Sequence, residues 1–397
     1  MKTGVEPRMA AARVVGRVVR EGAWTQQAVA AETSGMGQID RKQAEALAYG
    51  TIRRLPRLDR GIAGASRRGL DDIDRGVLDL LRVSAFELWF GRVPAPVAVN
   101  TGVEAVRALQ PKAAGFANAV LRFVARGEPA ADAAETADLR LALPSWLLTS
   151  LRQVWAGEEV LAFAEASLQD APITVRHRPA LPVPHGQAVP GIEGAYVVEP
   201  GEVGDHPRQD PASIAVVLAL DPRPGERVAD LAAAPGGKTM HIVDAGASAT
   251  VAVDIRRSRV WRSRSRVPQA AWVVGDGSRP PLRARSFDAV LVDAPCSGLG
   301  TLRRRPEIRH RVSAAGIARL AGVQRSMVKA GMSLLKPNGR LVYSVCTVTP
   351  EETVAIVAGL PAQPPVGLPG RRWGNGLLMG PHLTDTDGMF ISIIRPP

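Results

Sequence analysis

The sequence predicts an all-helical domain followed by a doubly wound α/β domain, and two observations support this prediction. In residues 7–126 apolar residues recur at helical spacing; those of the segment 75–90 include Val77, Leu81, Phe86 and Leu88, with polar residues between them. From Pro211 onwards, short apolar runs typical of buried strands alternate with Gly-containing turns and helical stretches. A chain of 397 residues is long enough for two or three domains, each with its own core.

The first part of the chain is predicted to contain several separate helices. We expect them over residues 8–31, 40–56, 75–90, 95–109 and 113–126, with a return to helix over 145–169. Asp71, Asp72 and Asp74 precede the third helix, as acidic residues commonly do at helix N-termini. The polar, Ala-rich stretch 127–140 is typical of a linker. We therefore assign residues 1–128 to the helical domain, 129–210 to a linker and a small α+β adaptor, and 211–397 to the α/β domain.

Strands are expected in the adaptor and throughout the last domain. The adaptor is rich in Pro and Gly and contains two strand-like runs, Ile173–Val175 and Ala195–Val198. The strands of the α/β domain are expected at Val228–Asp230, Thr250–Val253, Ala271–Val274, Ala289–Val292 and Leu341–Tyr343. Because helical stretches separate most of these strands, the pattern indicates a parallel, doubly wound sheet.

The composition excludes several classes of protein. Hydrophobic residues make up 46% of the chain and charged residues 22%, which is ordinary for a globular protein. Two cysteines without a CxxC pair exclude a disulfide framework and argue against a zinc site, so we expect no metal and a reducing, cytoplasmic location. We find no signal-peptide pattern and no apolar run of membrane-spanning length, and expect no membrane partner. The formal charge of +12 favours a polyanionic partner.

The two cysteines occupy informative positions. Cys296 follows the expected strand Ala289–Val292, and Cys346 follows the expected strand Leu341–Tyr343. Ligands and chemistry collect at the carboxyl ends of the strands in an open parallel sheet. A free cysteine is often only a small buried hydrophobic residue. The position of both thiols at strand ends instead favours a role at a substrate site.

A glycine-rich turn follows the first strand of the α/β domain and opens a helix. The turn, Asp230–Thr239, contains two adjacent glycines, which let the backbone approach a ligand closely. Asp254 ends the second strand, where an acid would hold ribose hydroxyls, and Asp276 ends the third, placed to meet an adenine edge. Ala232 stands where a P-loop needs glycine, and the turn lacks the G-x-G-x-x-G of dinucleotide folds. We therefore predict S-adenosylmethionine as the cofactor, because its cationic sulfonium suits carboxylates and it carries no phosphate.

Several segments carry motifs that belong together. They are Ala234–Thr239, Asp293–Gly298, Ser344–Glu352, Asp387–Phe390 and Arg208–Ser213, with Val93–Asn100 and Gly115–Arg122 in the helical part. Over nearly the whole chain these segments resemble the Nop/Sun family of RNA cytosine-5 methyltransferases. The resemblance implies an α/β Rossmann-like S-adenosylmethionine methyltransferase domain preceded by an all-α NusB-like RNA-binding domain. That fusion is typical of the bacterial Sun-type enzyme, which acts on small-subunit ribosomal RNA.

The chain departs from the family pattern at three places. Ala232 and Val345 stand where cysteine and threonine are common, and His177 follows Arg176 where asparagine is frequent. None of the three is a residue that the chemistry requires.

The resemblance implies that a cysteine thiolate adds to C6 of cytosine, after which C5 becomes nucleophilic. It assigns the nucleophile to Cys346 and product release to Cys296. The DNA cytosine methyltransferases instead use the cysteine of a Pro-Cys motif, here Cys296, and spacing alone does not choose between the two. Asp293 is expected near N3 and the exocyclic amine of cytosine, its alternative role being to cap a turn. Lys238 is expected to lower a thiol pKa or touch the substrate, its alternative being a solvated lysine.

The remaining site residues fall into two groups. The expected cofactor-binding residues are Ala234, Pro235, Gly236, Gly237, Lys238, Asp254, Arg259, Asp276 and Asp293. The expected RNA-binding residues are Arg303, Arg304, Arg305, Arg309 and Arg311, which follow the first cysteine motif and would contact phosphates. A second arginine cluster, Arg256–Arg266, is expected to be a solvated helix face.

Three alternatives to a ribosomal RNA methyltransferase stay open. The substrate can be transfer RNA instead of ribosomal RNA, with the same chemistry. The chain can be a non-catalytic RNA-binding scaffold, against which the retained cysteines argue. A small-molecule methyltransferase leaves the arginine clusters and the helical domain unexplained.

Overall fold

The computed structural model describes residues 4–66, 68–127, 141–153 and 155–396. The chain divides into two compact units, of which the first comprises Met1–Thr149 and Arg304–Arg311 and the second comprises Ser150–Arg303 and Val312–Pro397. The adaptor expected over 129–210 therefore falls, in its described later part, within the second unit. The expected linker 127–140 lies outside the described residues from residue 128 onwards.

The first unit is helical around one apolar core. Its helices are α1 (Val5–Arg20), α2 (Thr25–Glu32), α3 (Gln38–Arg53), α4 (Leu55–Ala65), α5 (Arg75–Phe90), α6 (Ala95–Leu109) and α7 (Ala114–Val124), and α8 (Ser145–Arg152) runs across the boundary to the second unit. Three short 3-10 turns accompany them at Leu70–Asp72, Pro111–Ala113 and Pro306–His310. The central helix α5 begins where Asp74 accepts hydrogen bonds from the backbone N–H groups of Gly76 and Val77.

Two helical segments expected from the sequence are each divided into two helices in the structure. The segment 8–31 breaks after Arg20, because Gly22 adopts a φ of 70° that other residues rarely adopt. The segment 145–169 is likewise divided into α8 and α9 (Gly157–Ala166).

The second unit begins with a small antiparallel sheet. Its strands are β1 (Thr174–Arg176), β2 (Gln187–Ala188) and β3 (Ala195–Val197), in the order β1-β3-β2. Arg176 is fully buried and donates to Asp244, which lies at the end of the helix that follows the glycine-rich turn. The adaptor is thereby attached to the cofactor side of the α/β fold.

A nine-stranded sheet forms the body of the second unit. Its strands are β4 (Arg227–Leu231), β5 (Ala249–Asp254), β6 (Ala271–Val274), β7 (Phe287–Asp293), β8 (Leu335–Val345), β9 (Ala362–Gln363), β10 (Arg371–Trp373), β11 (Gly376–Met379) and β12 (Met389–Ile394). Strands β8-β7-β4-β5-β6 are parallel in that order, and β10-β11-β12 add antiparallel strands beside β8, with β9 also paired to β12. All five strands expected from the sequence lie within β4 to β8.

Helices cover both faces of this sheet. They are α10 (Pro211–Leu220), α11 (Gly237–Asp244), α12 (Arg257–Arg266), α13 (Ala314–Leu334) and the single turn α14 (Val354–Val357), with 3-10 turns at Leu299–Thr301 and Pro350–Glu352. One apolar cluster includes α10 and β12, and another includes α13 and the opposite face of β7 and β8. The predicted fold class, a Rossmann-like α/β domain after an all-α domain, is confirmed.

Strand order places the candidate site. The chain runs outward from β4 to β5 and β6, then returns to the other side of β4 with β7 and β8. The reversal between β4 and β7 is the point where such sheets bind ligands, outside the carboxyl ends of the strands. Within the described residues, no helix has the length and apolar character needed to cross a bilayer.

Candidate active site

The two cysteines lie side by side at the carboxyl edge of the main sheet. Parallel pairing of β7 with β8 sets Asp293 opposite Ser344, so the loops that follow both strands run together. The Sγ atoms of Cys296 and Cys346 are 3.4 Å apart, and both residues are half-buried free thiols. The structure thus brings together the two thiols that the sequence places at separate strand ends.

Gly300 joins the two cysteine loops to the C-terminal strand. Its N–H donates to the carbonyl of Cys346 at 3.0 Å, and its own carbonyl accepts from the N–H of Gly388 at 2.8 Å. A Cβ atom on Gly300 would lie 2.0 Å from the Gly388 carbonyl oxygen. Only a glycine therefore permits this close backbone approach.

Asp293 and Lys238 form an ion pair beside the thiols. Lys238 lies in the first turn of α11, and its Nζ donates to Asp293 Oδ2 at 2.7 Å. Ser344 Oγ donates to Asp293 Oδ1 at 2.8 Å. Each carboxylate oxygen can accept more than one hydrogen bond, so Asp293 can still receive a donor from a ligand. The Asp293 side chain therefore contacts Lys238 and Ser344, which is more than the capping of a turn would require. Its expected contact with cytosine stays a prediction.

The two thiols have opposite electrostatic surroundings. Burial opposes the charged form of Lys238, but Asp293 and then Cys346 outweigh it and raise the pKa of Lys238. The pKa of Cys296 lies well above its ordinary value, first because of its hydrogen bond with Cys346, then because of burial, the charge of Cys346 and Glu352. Lys238 thus interacts favourably with Cys346, whereas Cys346 and Glu352 both favour the protonated form of Cys296.

Glu352 connects both cysteine loops and was not selected from the sequence. It is fully buried. Its Oε1 accepts from the N–H of Ser297 at 2.8 Å and from Gln324 Nε2 at 3.1 Å. Its Oε2 accepts from the hydroxyls of Ser297, Thr347 and Thr349. The carboxylate thus holds the residue after Cys296 and the residue after Cys346 with one side chain.

The turn that begins the cofactor side is held by Asp254. Asp254 ends β5 and is buried; its Oδ2 accepts from the N–H of Ala234 at 3.2 Å and its Oδ1 from the N–H of Arg256 at 2.9 Å. Gly236 has a φ of 96° and precedes α11. A Cβ atom there would approach the Trp272 ring at 3.3 Å. The predicted cofactor residues Ala234 to Lys238 therefore form one turn against the end of β5.

Asp230 carries a buried oxygen that no protein group satisfies among the described residues. Its side chain is 1% exposed; Oδ2 accepts from Thr239 Oγ1 at 2.6 Å, and Oδ1 has no partner there. Burial raises the pKa of Asp230 to about 7, against the opposing hydrogen bond from Thr239. An unpaired carboxylate oxygen below the turn suits a ligand with cationic groups and no phosphate, as S-adenosylmethionine is.

Two predicted cofactor residues lie farther out on the same edge. Asp276 follows β6 and is exposed; the N–H and hydroxyl of Ser278 both donate to its Oδ1 and lower its pKa. Arg259 is an exposed residue of α12. Among the described residues, no cluster of His, Cys, Asp and Glu could hold a metal ion.

The structure separates the five arginines expected to bind RNA. Arg303 lies in the second unit, is 4% exposed and pairs with Asp385 at 2.6 Å. The other four belong to the helical unit, and of these Arg309 is 1% exposed and donates to the Arg53 carbonyl. Burial, together with the charges of Arg53 and Arg54, lowers the pKa of Arg309 to about 9. Arg303 and Arg309 are thus occupied by protein groups instead of being open to a phosphate.

The neighbours of these two arginines are also anchored in the helical unit. Glu307 is buried and accepts from both the N–H and the hydroxyl of Thr25. Arg311 donates to the carbonyl of Ala23, and the guanidinium of Arg305 lies 5.9 Å from the Trp24 ring centre. Arg305 remains exposed.

Sequence reasoning missed the hydrogen-bonded support of the thiols. Glu352, Ser297 and Gln324 were not selected, although the first two lie inside the cysteine segments. The available signal was an acidic residue, Glu352, a few residues after Cys346 in the second cysteine segment. Gln324 had none, because it lies in the middle of α13 and reaches the site only through the fold.

Comparison with known proteins gives a family for each half of the chain. Residues 217–395 match the family described as 16S rRNA methyltransferase RsmB/F, and residues 5–126 match the NusB family. The ribosomal RNA small subunit methyltransferase B of Sodalis glossinidius is 32% identical, with 98% of each chain covered.

Solved structures show the same fold. The crystal structure of PH0851 superimposes with a TM-score of 0.81 at 20% identity and covers all of both chains. A methyltransferase homologue from Pyrococcus horikoshii gives a TM-score of 0.56 at 25% identity, covering 66% of this chain and 97% of its own.

These similarities confirm the resemblance stated from the motifs. The all-α domain is NusB-like, the α/β domain has a methyltransferase fold, and S-adenosylmethionine is the cofactor. The chain belongs to the RsmB/F family of 16S rRNA methyltransferases, with an N-terminal NusB domain.

Proposed function

We propose that the chain methylates C5 of a cytosine in small-subunit ribosomal RNA through a covalent adduct between Cys346 and C6. The observation that carries the proposal is the pair of thiols 3.4 Å apart in opposite electrostatic surroundings. One thiol beside a cation can attack, and one beside a carboxylate stays protonated. A base whose C5–C6 edge approaches this pair would meet a nucleophile and a second thiol at once.

Cys346 acts first in this proposal. Its thiolate is stabilised by the Lys238 ammonium and adds to C6 of the ring. Asp293 accepts a hydrogen bond from the exocyclic amino group with a lone pair that Lys238 and Ser344 leave free. This contact orients the base. Addition of the thiolate converts the C5–C6 double bond to a single bond, and its electron pair is delocalised over C5 and the C4–N3 group until C5 takes up the methyl group. S-adenosylmethionine, when bound, supplies the electrophilic methyl group that the activated C5 takes up.

Cys296 acts after the adduct has formed. The hydrogen bond with Cys346 is the largest cause of the raised pKa of Cys296, followed by burial and the charge of Cys346. Once Cys346 is a thioether, both its hydrogen bond and its charge are lost to Cys296. The pKa of Cys296 then falls towards its ordinary value, so the thiol can lose its proton to solvent, and the resulting thiolate takes the C5 proton. The Cys346 sulfur leaves as a thiolate, which completes the cycle.

The target base must leave its stack to reach these sulfur atoms. They lie at the carboxyl edge of the main sheet and are half-buried, so a cytosine that is stacked inside a duplex cannot reach them. We therefore expect a loop or an extruded nucleotide as the target. Arg305, one of two exposed members of the predicted cluster in the helical unit with Arg311, is a candidate for a phosphate contact.

The test is transfer of labelled methyl groups to unmethylated 16S ribosomal RNA, with the product base identified by digestion to nucleosides. Wild type should form 5-methylcytosine, Cys346→Ala should form none, and Cys296→Ala should accumulate a protein–RNA adduct on denaturing gels. Each cysteine variant is the matched control for the other, since both remove one thiol from the same pair. If only transfer RNA is labelled, the proposed substrate is wrong but the proposed mechanism stands. If Cys346→Ala keeps full activity, the proposed mechanism is wrong.

A further inference from the structure

Helix α12 carries an unusual surface on the methyltransferase unit. Its sequence, with the residue before it, contains six arginines, at positions 256, 257, 259, 262, 264 and 266. All six are exposed, and the chain contains no acidic residue from 255 to 275. None of the six forms an ion pair with an acid among the described residues. The helix is held to the sheet by two buried side chains, Val260 and Ser263.

The arginines form two stripes along the helix. Arg257, Trp261 and Arg264 recur at i, i+4 and i+7 and share one flank. Arg259, Arg262 and Arg266 recur at i, i+3 and i+7 and share the other flank. Val260 and Ser263 point between these flanks into the protein, so both stripes remain open to solvent.

An aromatic ring completes the first stripe. Trp261 is 53% exposed, and the guanidinium of Arg264 lies 5.9 Å from its ring centre. This cation–π contact holds the indole on the helix surface. Indole faces are the platforms on which unpaired bases stack in single-stranded nucleic acid sites.

Like charges at this density oppose each other. Arginines three and four residues apart on a helix repel by a few tenths of a kcal/mol per pair when no acid lies between them. An ordinary solvated face, as the sequence led us to expect, interleaves both signs of charge. A surface of one sign with an exposed indole is instead complementary to a strand of phosphates with unpaired bases.

We propose that α12 binds the phosphate backbone of the substrate RNA, with a base stacked on Trp261. The inference rests on the proposed function only in that RNA is the substrate. An anionic membrane surface would fit the charge, but the exposed apolar groups of the helix amount to Trp261 alone, far from the broad apolar face that interfacial helices need.

The test uses the full-length protein and 16S ribosomal RNA transcribed in vitro. The variant combines Arg262→Gln, Arg264→Gln and Arg266→Gln, which keeps polar side chains that favour a helix and leaves Arg259 near the cofactor edge untouched. The matched control combines Arg223→Gln, Arg372→Gln and Arg395→Gln, which removes the same charge from exposed positions of the same unit.

RNA affinity is measured by filter binding over a series of salt concentrations. Each lost phosphate contact reduces the slope of log affinity against log salt by about 0.7 to 0.9, so the variant should lose about 2 from the slope. Its KM for RNA should rise about tenfold or more, with kcat and the affinity for S-adenosylmethionine unchanged. The control should keep the wild-type slope.

Trp261→Ala separates stacking from charge. It should weaken RNA binding about tenfold without changing the salt slope. Equal loss in the variant and its control would overturn the inference, and so would an unchanged slope in the variant. Because filter-binding affinity and its salt slope need no methyl transfer, these two readouts stand apart from the cysteine tests: a chain that binds RNA through α12 but methylates no cytosine would refute the proposed function alone.

Discussion

Replacing Glu352 tests whether a buried carboxylate holds the two thiols in register. Its two carboxylate oxygens accept five hydrogen bonds. Three come from hydroxyl groups, and two come from N–H donors that cannot also act as acceptors, the backbone of Ser297 and the amide of Gln324. In Glu352→Gln the amide oxygen can keep these two donors, while the new NH₂ faces hydroxyls that can rotate to accept it. The side-chain shape is kept, so the change removes mainly the charge.

The expected loss of stability follows from these contacts. A hydrogen bond to a charged group contributes about 1.5–3 kcal/mol and a neutral one about 0.5–1.5 kcal/mol, so two fixed donors lose about 2 kcal/mol in all. Glu352→Ala also orphans the N–H of Ser297 and leaves a cavity, which brings its expected cost to about 4 kcal/mol. Ser297 Oγ and Thr347 Oγ1 keep each other as partners at 2.7 Å, which limits the loss in both variants.

The activity should fall more than the stability suggests. Ser297 directly follows Cys296, so a shift of its backbone changes the distance between the two sulfur atoms. Misplacement by about 1 Å at a reacting centre costs about 100-fold, and we expect kcat of Glu352→Gln to fall by about 10- to 100-fold with unchanged affinity for S-adenosylmethionine. Urea unfolding, calorimetry of cofactor binding and methyl transfer measure the three quantities.

The neighbouring residue is the control for this prediction. Glu351 is exposed, carries the same charge and lies one residue away. Glu351→Gln should change the free energy of unfolding by less than about 0.5 kcal/mol and leave kcat at the wild-type value. The reasoning is refuted if Glu352→Gln behaves like Glu351→Gln in both assays.

Three further changes test other parts of the site. Lys238→Met removes the ammonium that faces Cys346, and the pH of half-maximal methyl transfer should rise by about 1 to 2 units in a pH–rate profile. The folded pKa of Asp230, about 7, exceeds its unfolded value, so wild-type stability falls as the pH rises through about 4 to 7. Asp230→Asn lacks this fall, and its stability relative to wild type should improve by about 3 kcal/mol between about pH 5 and pH 8 in urea unfolding; no change between the two pH values contradicts the burial argument. Gly300→Ala should lose about 3 kcal/mol or more because its Cβ meets a backbone carbonyl, whereas Gly322→Ala, on an open helix face, should gain up to about 1 kcal/mol in the same thermal unfolding assay.

The strands of the main sheet were predictable because their apolar runs are local. Ala289–Val292 and Leu341–Tyr343 are continuous buried runs bounded by polar or glycine residues, and both are strands in the structure. The break at Gly22 was not predictable with the same certainty, since a single glycine is tolerated inside many helices. The antiparallel strands β9 and β10 have two and three residues, which is too few to show an alternating apolar pattern in the sequence.

The arginines after the first cysteine motif show where local reasoning ends. Their clustering in sequence suggested one phosphate-binding surface. Arg303 instead finds Asp385, 82 residues away, and Arg309 finds the carbonyl of Arg53, 256 residues away. A cluster of arginines in the sequence shows only which residues are neighbours along the chain. Whether each side chain is exposed depends on partners that are distant in sequence and become known only from the fold. The six arginines at α12, expected to form a solvated helix face, are exposed and form no ion pair with an acid among the described residues.

The roles of the two thiols rest on different kinds of argument before and after the fold is known. Spacing placed Cys296 and Cys346 at strand ends but did not choose the nucleophile, and the choice came from a resemblance. The fold supplies a physical reason that is independent of it: α11 brings Lys238 towards Cys346, and the turn Pro350–Glu352 brings a carboxylate towards Cys296. Since thiolates are stabilised by cations and opposed by carboxylates, these charges support the proposed assignment of Cys346 as the nucleophile. Exchanging the two charges, rather than the two cysteines, would therefore be expected to weaken the attack while leaving both sulfur atoms in place.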